Sequence, residues 1–585
     1  MTGAEYVAEF LARRNSTNIF LITGGACAFI VDAVGRHPKL KYHCFQHEQA
    51  AAMAADSLWR TNRIVGVTVA TSGPGATNLI TGIACSYFDS IPTLHITGQV
   101  NQNEKKNYRG AKVRQAGFQE TKIVDIVKPI TKYAVSVTSG AELKHELEKA
   151  YNIAITGRMG PVLIDIPMDV QKEEVGDEIL YSPPAETVPS QPMIFRARTQ
   201  LKEFFRGSER PLVIFGAGVG LAGSEAWVER WLKKTGIPFV ASWNALTYFN
   251  HDAKNYLGNI GVYGNRGANF ALQSADRILV LGSRLDNRQR SGDTDGFGLS
   301  AKFLVVDIDG QELAKYPKKK YSTVKLDLRH LAMILNGVRA PAGSASWTAF
   351  VHELKKKYFG VYPSTTAEEQ GTLSPYWAVQ AINRAVDPDA IVVADDGANL
   401  CWVFQTFHRT RQTLYTAGGN SPMGYSFPAA IGAAIQNPRK QVIAFTGDGS
   451  MQMNIQELQT LKHNNLNVKV VILNNFGYGI IKQFQDLYFQ GRYYGSDEGY
   501  SQPDFGKVAA AYGIDYLRVT KTSDFDASFL AKKGPGVMDV HLHPNTLIEP
   551  KLEMGRPIHD QFPYLSNADH AQGTRLIRNY ARSEK

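Results

Sequence analysis

From residue 441 to residue 475 the chain reads QVIAFTGDGSMQMNIQELQTLKHNNLNVKVVILNN, and this segment identifies the architecture. An apolar run at 442–446 ends in glycine, a helical spacing of larger side chains follows, and a second apolar run at 468–473 ends in two asparagines. This order predicts a strand, a helix and a second strand that pairs in parallel with the first. Because parallel strands end at the same edge of a sheet, we expect Asp448 and Asn475 to lie close together.

The turn Gly447-Asp448-Gly449-Ser450 within this segment also indicates a ligand. A glycine turn that opens a helix presents free backbone N–H groups and the positive end of the helix dipole, which suit a phosphate. Asp448 and Asn475 supply the oxygen ligands that Mg²⁺ prefers. The segment therefore predicts a magnesium ion that bridges a diphosphate. The alternative is that both segments are only tight turns.

The same alternation of apolar runs and helical patterns recurs in three blocks of the 585-residue chain. Further strand candidates lead into glycine turns or loops at 64–70, 211–215 and 390–394, and a segment rich in proline at 182–192 reads as a linker. We predict an α/β fold with three doubly wound parallel-sheet domains. The predicted domains cover residues 1–180, 190–340 and 365–548, and a tail follows at 549–585.

Composition excludes several classes of protein. Apolar residues make up 44% and charged residues 20%, the usual mix of a folded globular chain. No apolar run approaches the ~20 residues of a membrane span, and the start of the chain lacks the pattern of a secretion signal. Lys and Arg exceed Asp and Glu by ten (64 against 54), but they are dispersed and lack interleaved aromatics. We expect a cytoplasmic protein without a membrane or nucleic-acid partner.

Residues 447–475 resemble the cofactor motif of thiamine-diphosphate-dependent enzymes. The resemblance implies that Asp448, Asn475 and the backbone carbonyl of Gly477 hold Mg²⁺. Residues 46–56, which read QHEQAAAMAAD, resemble the segment that carries the essential glutamate of that family, and this assigns the role to Glu48. A carboxyl group hydrogen-bonded to the aminopyrimidine ring favours the tautomer that can accept the reacting proton of the coenzyme.

Other segments resemble one branch of the family, the acetohydroxyacid synthases, over roughly residues 1–545. They are TSGPGATNL (71–79), ITGQV (96–100), FQET (118–121), GPVLIDIP (160–167) and MGYSFPAAIG (423–432). The resemblance implies a pyrimidine-binding, a central FAD-binding-like and a diphosphate-binding domain, in a homodimer or homotetramer whose active sites lie at the subunit interface. It assigns thiamine diphosphate contacts to Gly73, Asn78, Gly397, Ala398, Asn399, Ser421, Met423, Gly447, Asp448, Gly449, Ser450, Asn475 and Gly477.

The middle block resembles the flavin-holding domain of the same branch. The matching segments are GAGV (216–219), GSRLDNR (282–288) and VDID (306–309). The resemblance implies bound FAD without a redox role in the reaction, and an empty dinucleotide-like fold is the alternative. The expected FAD contacts are Arg158, Gly216, Gly218, Arg284 and Asp307.

Four departures from the synthase pattern fall on the acceptor side. Met168 replaces a lysine, Asn287 an aspartate and Phe484 a tryptophan, and the tail at 554–565 differs. A phenyl ring fills less volume than an indole and lacks its N–H, so we expect a different acceptor. Substrate contacts are assigned to Phe118, Met168, Arg288 and Phe484. Catalytic roles are assigned to Glu48 and, as donors to the developing oxyanion, to Gln119 and Gly25.

These observations predict a carboligase that decarboxylates pyruvate or a similar 2-keto acid and transfers the activated aldehyde to a ketone or keto sugar. The alternative is the catalytic subunit of an acetohydroxyacid (acetolactate) synthase, because Arg288 stands where the synthases face the acceptor carboxylate. A flavoenzyme of the pyruvate oxidase type is a third possibility. A non-catalytic regulatory relative would lack Glu48, Asp448 or Asn475, and all three are present.

Overall fold

The computed structural model describes residues 1–106, 113–176, 181–185, 188–292, 295–338, 341–361, 368–369 and 372–577. Three six-stranded parallel sheets with flanking helices follow one another along these residues, and they confirm the predicted α/β fold class. The predicted domain limits remain predictions, and part of the predicted linker, at 186–187, lies outside the described residues.

The first sheet has the strand order 2-1-3-4-6-5 in chain numbering, and all its neighbouring strands are parallel. Its strands are β1 (Asn18–Leu21), β2 (Lys41–Cys44), β3 (Gly66–Ala70), β4 (Thr93–Gln99), β5 (Tyr133–Ser136) and β6 (Val162–Pro167). The α-helices of this first domain are α1 (Gly3–Arg13), α2 (Ala28–Arg36), α3 (Glu48–Asn62), α4 (Pro74–Asn78), α5 (Ile80–Asp89), α6 (Gln102–Lys106), α7 (Ile123–Val127), α8 (Gly140–Ile155) and α9 (Met168–Lys172), with 3-10 turns at Gly25–Cys27 and Lys128–Ile130.

The middle sheet has the order 12-11-10-7-8-9. Its strands are β7 (Pro211–Phe215), β8 (Phe239–Ala241), β9 (Tyr256–Asn259), β10 (Arg277–Leu281), β11 (Lys302–Asp307) and β12 (Tyr321–Lys325). The α-helices of this middle domain are α10 (Gln191–Phe205), α11 (Gly218–Leu221), α12 (Glu225–Thr235), α13 (Arg266–Ser274), α14 (Asn287–Arg290), α15 (Gly310–Ala314), α16 (Leu331–Leu335) and α17 (Ala345–Tyr358), with 3-10 turns at Trp243–Tyr248 and Leu328–His330.

The third sheet has the order 16-15-17-18-20-19, and a short antiparallel pair, β13 (Glu368–Glu369) and β14 (Thr372–Leu373), precedes it. Its strands are β15 (Ile391–Ala394), β16 (Thr413–Tyr415), β17 (Val442–Gly447), β18 (Val468–Asn474), β19 (Asp515–Val519) and β20 (Gly536–His541). The α-helices are α18 (Pro375–Ala385), α19 (Ala398–Thr406), α20 (Ser426–Gln436), α21 (Asp448–Met453), α22 (Leu458–His463), α23 (Gly479–Phe489), α24 (Phe505–Ala511), α25 (Ala527–Ala531) and α26 (Asn567–Thr574), with 3-10 turns at Ile455–Glu457 and Thr522–Asp524.

Strand β18 shows why the central strands read as continuous apolar runs in the sequence. Every residue of β18 is buried because helices cover both faces of the parallel sheet. Lys469 is the charged residue of this strand, and its ammonium group donates hydrogen bonds to the carbonyls of Lys532 and Gly534, both at 2.5 Å. A buried cation is thus satisfied by backbone oxygens at one end of the sheet.

Helix α3 of the first domain packs along α20 of the third domain. The contact is close because both helices present small residues, and a Cβ on Gly432 would overlap the carbonyl oxygen of Ala54. Glu48, the first residue of α3, is therefore held in a fixed position relative to the third sheet.

A buried polar network lies next to this helix pair and contacts all three domains. Arg60 donates to Asp56 at 2.6 Å and to Asp89 at 2.8 Å, and the Tyr425 hydroxyl of the third domain also donates to Asp56. Asn244 of the middle domain donates to Asp89 at 3.1 Å. Because each carboxylate accepts several hydrogen bonds, the network keeps its charges paired without access to solvent.

In the part of the chain that the structure describes, every helix falls short of the length and apolar character that a bilayer span needs.

Candidate functional site

Asp448 and Asn475 lie next to each other at the carboxyl edge of the third sheet. They lie at the ends of the neighbouring parallel strands β17 and β18, as the sequence predicts. The Asp448 carboxylate is buried and accepts hydrogen bonds from the backbone N–H groups of Asn475 and Gly477. The Tyr500 hydroxyl donates to the same carboxylate at 2.6 Å. The three residues assigned to Mg²⁺ thus lie together in the fold.

The donor set fits a hard divalent cation. Burial raises the pKa of Asp448 to about 6, and this carboxylate forms no ion pair with a described residue. The side-chain nitrogen of Asn475 is also buried and has no hydrogen-bond partner among the described residues. Asp448, Asn475 and the carbonyl of Gly477 would therefore hold Mg²⁺ through oxygen atoms, the ligands that this ion prefers.

The residues assigned to the diphosphate gather around the first turns of two helices. Gly397 adopts φ +98° and precedes α19, and Gly447 precedes α21. Their strands, β15 and β17, are neighbours, so the Asn399 side-chain nitrogen lies 3.4 Å from where a Cβ of Gly447 would stand. Helix α19 buries Ala398 next to Asn399, and α21 buries Gly449 and Ser450. Free N–H groups at both helix starts suit an anionic group.

The loop before α20 carries Ser421 and Met423, which the resemblance assigns to the aminopyrimidine. Ser421 adopts φ +52° and its hydroxyl donates to Asp396 at 2.6 Å. The terminal carbon of Met423 lies 3.4 Å from where a Cβ of Gly449 would stand, so this side chain reaches the metal-binding turn.

The buried Asp395 fixes this loop. It accepts hydrogen bonds from the N–H of Gly424 at 2.8 Å and from the hydroxyl of Ser426 at 2.9 Å. Burial raises the pKa of Asp395 to about 6. The sequence analysis missed this residue. An aspartate directly after an apolar strand was the available signal, but its partners lie about 30 residues further along the chain.

Glu48 stands at the buried start of α3. The side-chain amide of Asn78 donates to its carboxylate at 2.9 Å, and both residues were predicted. A Cβ on Gly75 would lie 3.1 Å from the other oxygen of Glu48, so the glycine turn closes over the carboxylate. Asn78 and Gly75 therefore fix the orientation of the Glu48 carboxylate.

A second buried acid, Glu457, holds the turn that precedes Glu48. It accepts hydrogen bonds from the backbone N–H groups of Gln46 and His47, both at 3.0 Å. The Thr460 hydroxyl donates to it at 2.6 Å, and burial raises the pKa of Glu457 to about 7. The sequence analysis missed Glu457 because its partners in the first domain are 410 and 411 residues away.

Asn454 connects the two sides of the predicted aminopyrimidine site within one chain. Its side-chain nitrogen donates to the carbonyl of Gly424 at 2.8 Å, and its oxygen accepts from Gln49 at 3.5 Å. Gln49 follows Glu48, and Gly424 follows Met423. The structure therefore brings the start of α3 and the loop before α20 to one side-chain amide.

The proposed oxyanion donors lie on the first domain. Gly73 adopts φ +60°, and a Cβ at this position would lie 2.8 Å from the carbonyl of Gln119, so these two residues pack together. Gly25 begins a 3-10 turn, and no atom lies within 4 Å of where its Cβ would stand. The N–H of the next residue, Ala26, donates to Thr71 at 3.3 Å. Gly25 thus borders open space at the sheet edge that carries Gly73.

The residues assigned to the substrate are not all in contact. Phe118 is 84% exposed, Met168 is half-buried at the start of α9, and both lie on the first domain. Arg288 lies on the middle domain and donates to the Tyr263 hydroxyl at 3.1 Å. Phe484 lies on α23, with its ring 4.6 Å from that of Tyr488. The structure thus distributes these four residues over the first, middle and third domains.

A cavity of about 540 Å³ separates the first and middle domains at the predicted FAD site. Arg158, Gly218, Arg284 and Asp307 line it, whereas Gly216 does not. The glycine at 216 serves packing, because a Cβ there would overlap the carbonyl of Gly282.

The charged residues of the cavity are largely paired. Arg158 forms ion pairs with Asp309 at 2.8 Å and Glu312 at 3.3 Å, and Arg284 lies 3.5 Å from Asp286. The volume fits a dinucleotide-sized group, and the acidic groups suit ribose hydroxyls. Arg63 and Arg288 also line the cavity and form no ion pair with a described residue, so they are the arginines available to a diphosphate.

Comparison with protein families identifies three matching segments. Residues 1–126 match the thiamine pyrophosphate enzyme N-terminal TPP binding domain, residues 199–331 match the central domain, and residues 395–540 match the C-terminal TPP binding domain. The central match contains all six strands of the middle sheet, whereas the N-terminal match contains β1–β4 of the first sheet and the C-terminal match contains β16–β19 and most of β20 of the third. Glu48 lies in the N-terminal match, and Asp448 and Asn475 lie in the C-terminal match.

Curated proteins similar to the whole chain are acetolactate synthases. The large subunit of acetolactate synthase isozyme 1 from Escherichia coli is 34% identical over 562 residues, which cover 95% of this chain and 96% of the relative. Acetolactate synthase 1 of Zea mays is 33% identical over 577 residues, covering 95% and 88%. The acetolactate synthase large subunit of Corynebacterium glutamicum is 33% identical over 537 residues, covering 90% and 83%.

Proposed function

The chain belongs to the thiamine pyrophosphate enzymes, as a relative of the acetolactate synthase catalytic subunits, and we propose that it decarboxylates pyruvate and joins the remaining two-carbon unit to a second 2-keto acid. The ketone or keto-sugar acceptor, which the sequence analysis placed first, has no specific support from the relatives. They favour the alternative, an acetolactate synthase activity. Phe484 and the altered tail still depart from the synthase pattern on the acceptor side. The identity of the acceptor is therefore the property to measure.

One observation carries the proposal: the start of α3 with Glu48 and the loop of Met423 are joined by Asn454, next to the turn that carries Asp448. When bound, the coenzyme supplies a carbon nucleophile and an electron sink for decarboxylation. Glu48 would share a proton with the aminopyrimidine ring. Asp448 and Asn475 would hold Mg²⁺ near the diphosphate, and Met423, which reaches the turn at Gly449, would contact the coenzyme.

The remaining residues would act on the substrates. The N–H of Gly25 and the amide of Gln119 would donate to the oxygen that becomes negative when the acceptor carbonyl is attacked. Arg288 would bind the acceptor carboxylate, since it forms no ion pair with a described residue and donates only to the hydroxyl of Tyr263. The exclusion of water by the closed glycine turn over Glu48 would favour ligation over release of free aldehyde.

The test is to load the protein with thiamine diphosphate and Mg²⁺, supply labelled pyruvate, and measure CO₂ and the ligation product. We expect acetolactate from pyruvate alone and acetohydroxybutyrate when 2-ketobutyrate is added. A panel of ketones and keto sugars is run in parallel, and a keto-sugar adduct as the dominant product would replace the synthase assignment. Omission of Mg²⁺ should abolish turnover.

The contacts of Asn454 lie within one chain, whereas the family resemblance implies that Glu48 and Asp448 of one site come from different subunits of a homodimer or homotetramer, and subunit mixing distinguishes the two arrangements. Glu48→Gln and Asp448→Ala variants, each inactive alone, are mixed under conditions that exchange subunits. If one subunit supplies Glu48 and its partner supplies Asp448, half of the sites in a mixed dimer are intact and activity returns. If both residues of a site come from the same chain, no site is repaired and the mixture stays inactive.

We also propose that the cavity between the first and middle domains holds FAD. Support comes from its lining by Arg284 and Asp307 and from its size. The purified protein should release flavin on heating, and an Arg284→Met variant should release less. Bleaching of the flavin by pyruvate without oxygen would instead indicate an oxidase of the pyruvate oxidase type.

A further inference from the structure

Residues 496–501, which read SDEGYS, fold back onto the turn that carries Asp448. The Tyr500 hydroxyl donates to Oδ2 of Asp448 at 2.6 Å, and no other described side chain donates to this carboxylate. The next residue is held as well, because the side-chain amide of Gln452 on α21 donates to the carbonyl of Ser501 at 3.2 Å. Two consecutive residues of the segment are therefore fixed to the helix that begins at Asp448.

The other end of the segment is fixed to α23. Ser496 is fully buried, and its hydroxyl donates to the side chain of Gln485. Asp497 forms an ion pair with Lys482 at 3.0 Å. Both partners lie on α23, so the segment is held at each end by contacts within the protein that involve no ligand.

Between these ends, backbone and packing set the place of Tyr500. The chain turns at Gly499, which adopts φ +83°, and the N–H of Tyr500 donates to the carbonyl of Asp497 at 3.0 Å. The ring of Tyr478 packs edge to face against that of Tyr500, with 4.8 Å between the ring centroids. A Cβ on Gly449 would lie 2.4 Å from the Tyr478 ring, so this pair of rings rests directly on the metal-binding turn.

The same segment orients the peptide that joins Gly477 to Tyr478. The N–H of Tyr478 donates to the carbonyl of Ser496 at 3.0 Å. This peptide is trans, so its carbonyl, which belongs to Gly477, points away from the segment. That carbonyl accepts from the N–H of Gly479 at 3.1 Å and keeps a second lone pair for another partner. A Cβ on Gly477 would lie 2.7 Å from the Ser496 oxygen, so only glycine allows this approach.

Asp448 needs such a restraint if it is to hold Mg²⁺ tightly. Mg²⁺ demands near-ideal octahedral geometry with oxygen ligands at about 2.0–2.1 Å, whereas Ca²⁺ accepts irregular arrangements. A carboxylate that rotates about its Cβ–Cγ bond presents its oxygens in many directions. A hydrogen bond that fixes one oxygen leaves the other in a defined place, and partners of this kind typically contribute about 10- to 100-fold to metal affinity.

We propose that Tyr500 is the positioning residue of the metal site, and that the segment 496–501 orients two of the three predicted ligands, the carboxylate of Asp448 and the carbonyl of Gly477. The inference rests on the proposed function, because it presupposes the Mg²⁺ site, and it adds the residue that sets the geometry of that site. Tyr500 acts through Asp448 and has no step of its own in the reaction. Its effect is selectivity for Mg²⁺ over a larger divalent cation.

The test compares Tyr500→Phe with the wild-type protein in the binding of two ions. Each protein receives the same excess of thiamine diphosphate and is titrated with Mg²⁺ or with Ca²⁺ in a calorimeter, which requires no turnover. The affinity of free thiamine diphosphate for each ion is the same in all titrations and cancels in the comparison. We expect Tyr500→Phe to weaken Mg²⁺ binding by about 10- to 100-fold and Ca²⁺ binding by less than about threefold.

Tyr493→Phe is the matched control. It also removes a tyrosine hydroxyl that donates to a carboxylate, but the partner is the exposed Asp486 on α23, and binding of neither ion should change. Urea unfolding of the metal-free proteins shows whether Tyr500→Phe keeps its fold. Should it not, Gln452→Leu takes its place, since loss of this amide releases Ser501 and should lower the preference for Mg²⁺ over Ca²⁺ in the same direction.

The outcomes separate this inference from the proposed function. Unchanged Mg²⁺ affinity in Tyr500→Phe, or an equal loss for both ions, would overturn the positioning role, because a purely structural role leaves the ratio of the two affinities as it is. If the ratio falls as expected but the protein does not decarboxylate pyruvate, the proposed function fails and the role of Tyr500 stands. If pyruvate is decarboxylated and the ratio is unchanged, the proposed function stands and this inference is refuted.

Discussion

Replacing Glu457 by glutamine should remove a pH dependence of stability that the buried carboxyl introduces. Burial raises the pKa of Glu457 from its ordinary value of 4.5 to about 7, and no charged side chain contributes to the shift. Between these two values the unfolded chain has released the proton while the folded protein still holds it. The folded state binds more protons there, so the free energy of unfolding falls as the pH rises through this window.

The size of the effect follows from the two pKa values. Each pH unit of separation corresponds to about 1.4 kcal/mol, so ionisation of Glu457 costs the folded protein roughly 3 kcal/mol by the time the pH has passed 7. In Glu457→Gln the amide oxygen can still accept from the N–H groups of Gln46 and His47, and no proton is released. The stability of wild type relative to this variant should therefore fall by roughly 3 kcal/mol from about pH 4.5 to about pH 8.

The assay is urea unfolding of both proteins at a series of pH values, read as the difference between them. Other buried acids, such as Asp395, titrate in both proteins and cancel in that difference. A difference that stays flat across the window would refute the assignment of the raised pKa to Glu457. As a second check, Glu457→Ala leaves two backbone N–H groups without an acceptor and should destabilise the protein at every pH, by about 2–6 kcal/mol.

Three further predictions concern the packed helices α3 and α20. Glu48→Gln should keep the fold by circular dichroism and lower carboligation by at least about 10²-fold, and wild-type turnover would remove its catalytic role. Gly432→Ala should force α20 away from Ala54 and lower stability by about 1–3 kcal/mol in urea, whereas unchanged stability would contradict the close contact. Asp56→Asn should remove one of the two carboxylates that pair with buried Arg60, leave Asp89 as the other, and cost about 1.5–3 kcal/mol in urea, whereas unchanged stability would show that Asp89 alone balances Arg60.

The metal turn could be predicted from the sequence because its geometry is local to one β-α-β unit. Asp448 and Asn475 end neighbouring parallel strands, and the fold of such a unit places both at one edge. Glu48 was identified only through a family resemblance, since a glutamate at a helix start has no distinctive pattern of its own. Its position relative to Asp448 depends on how α3 and α20 pack.

The supporting residues could not be predicted because their partners are distant in sequence. Tyr500 reaches Asp448 from a loop 52 residues away, and Glu457 reaches the first domain across more than 400 residues. In each case an ordinary polar side chain gains its role from the packing of elements that no periodicity in the sequence relates.

The hydrogen bonds of Asn244 limit which domains can be exchanged between related enzymes. Its side-chain nitrogen donates to Asp89 of the first domain at 3.1 Å, and its oxygen accepts from the N–H of Thr416 of the third domain at 3.2 Å. A chimaera that imports the middle domain of a homologue therefore inherits whatever side chain that homologue places here. Recombinants that carry an apolar residue at this junction would leave the N–H of Thr416 without this acceptor and Asp89 with Arg60 as its remaining donor, so viable hybrids should be those whose donor sequence retains an amide.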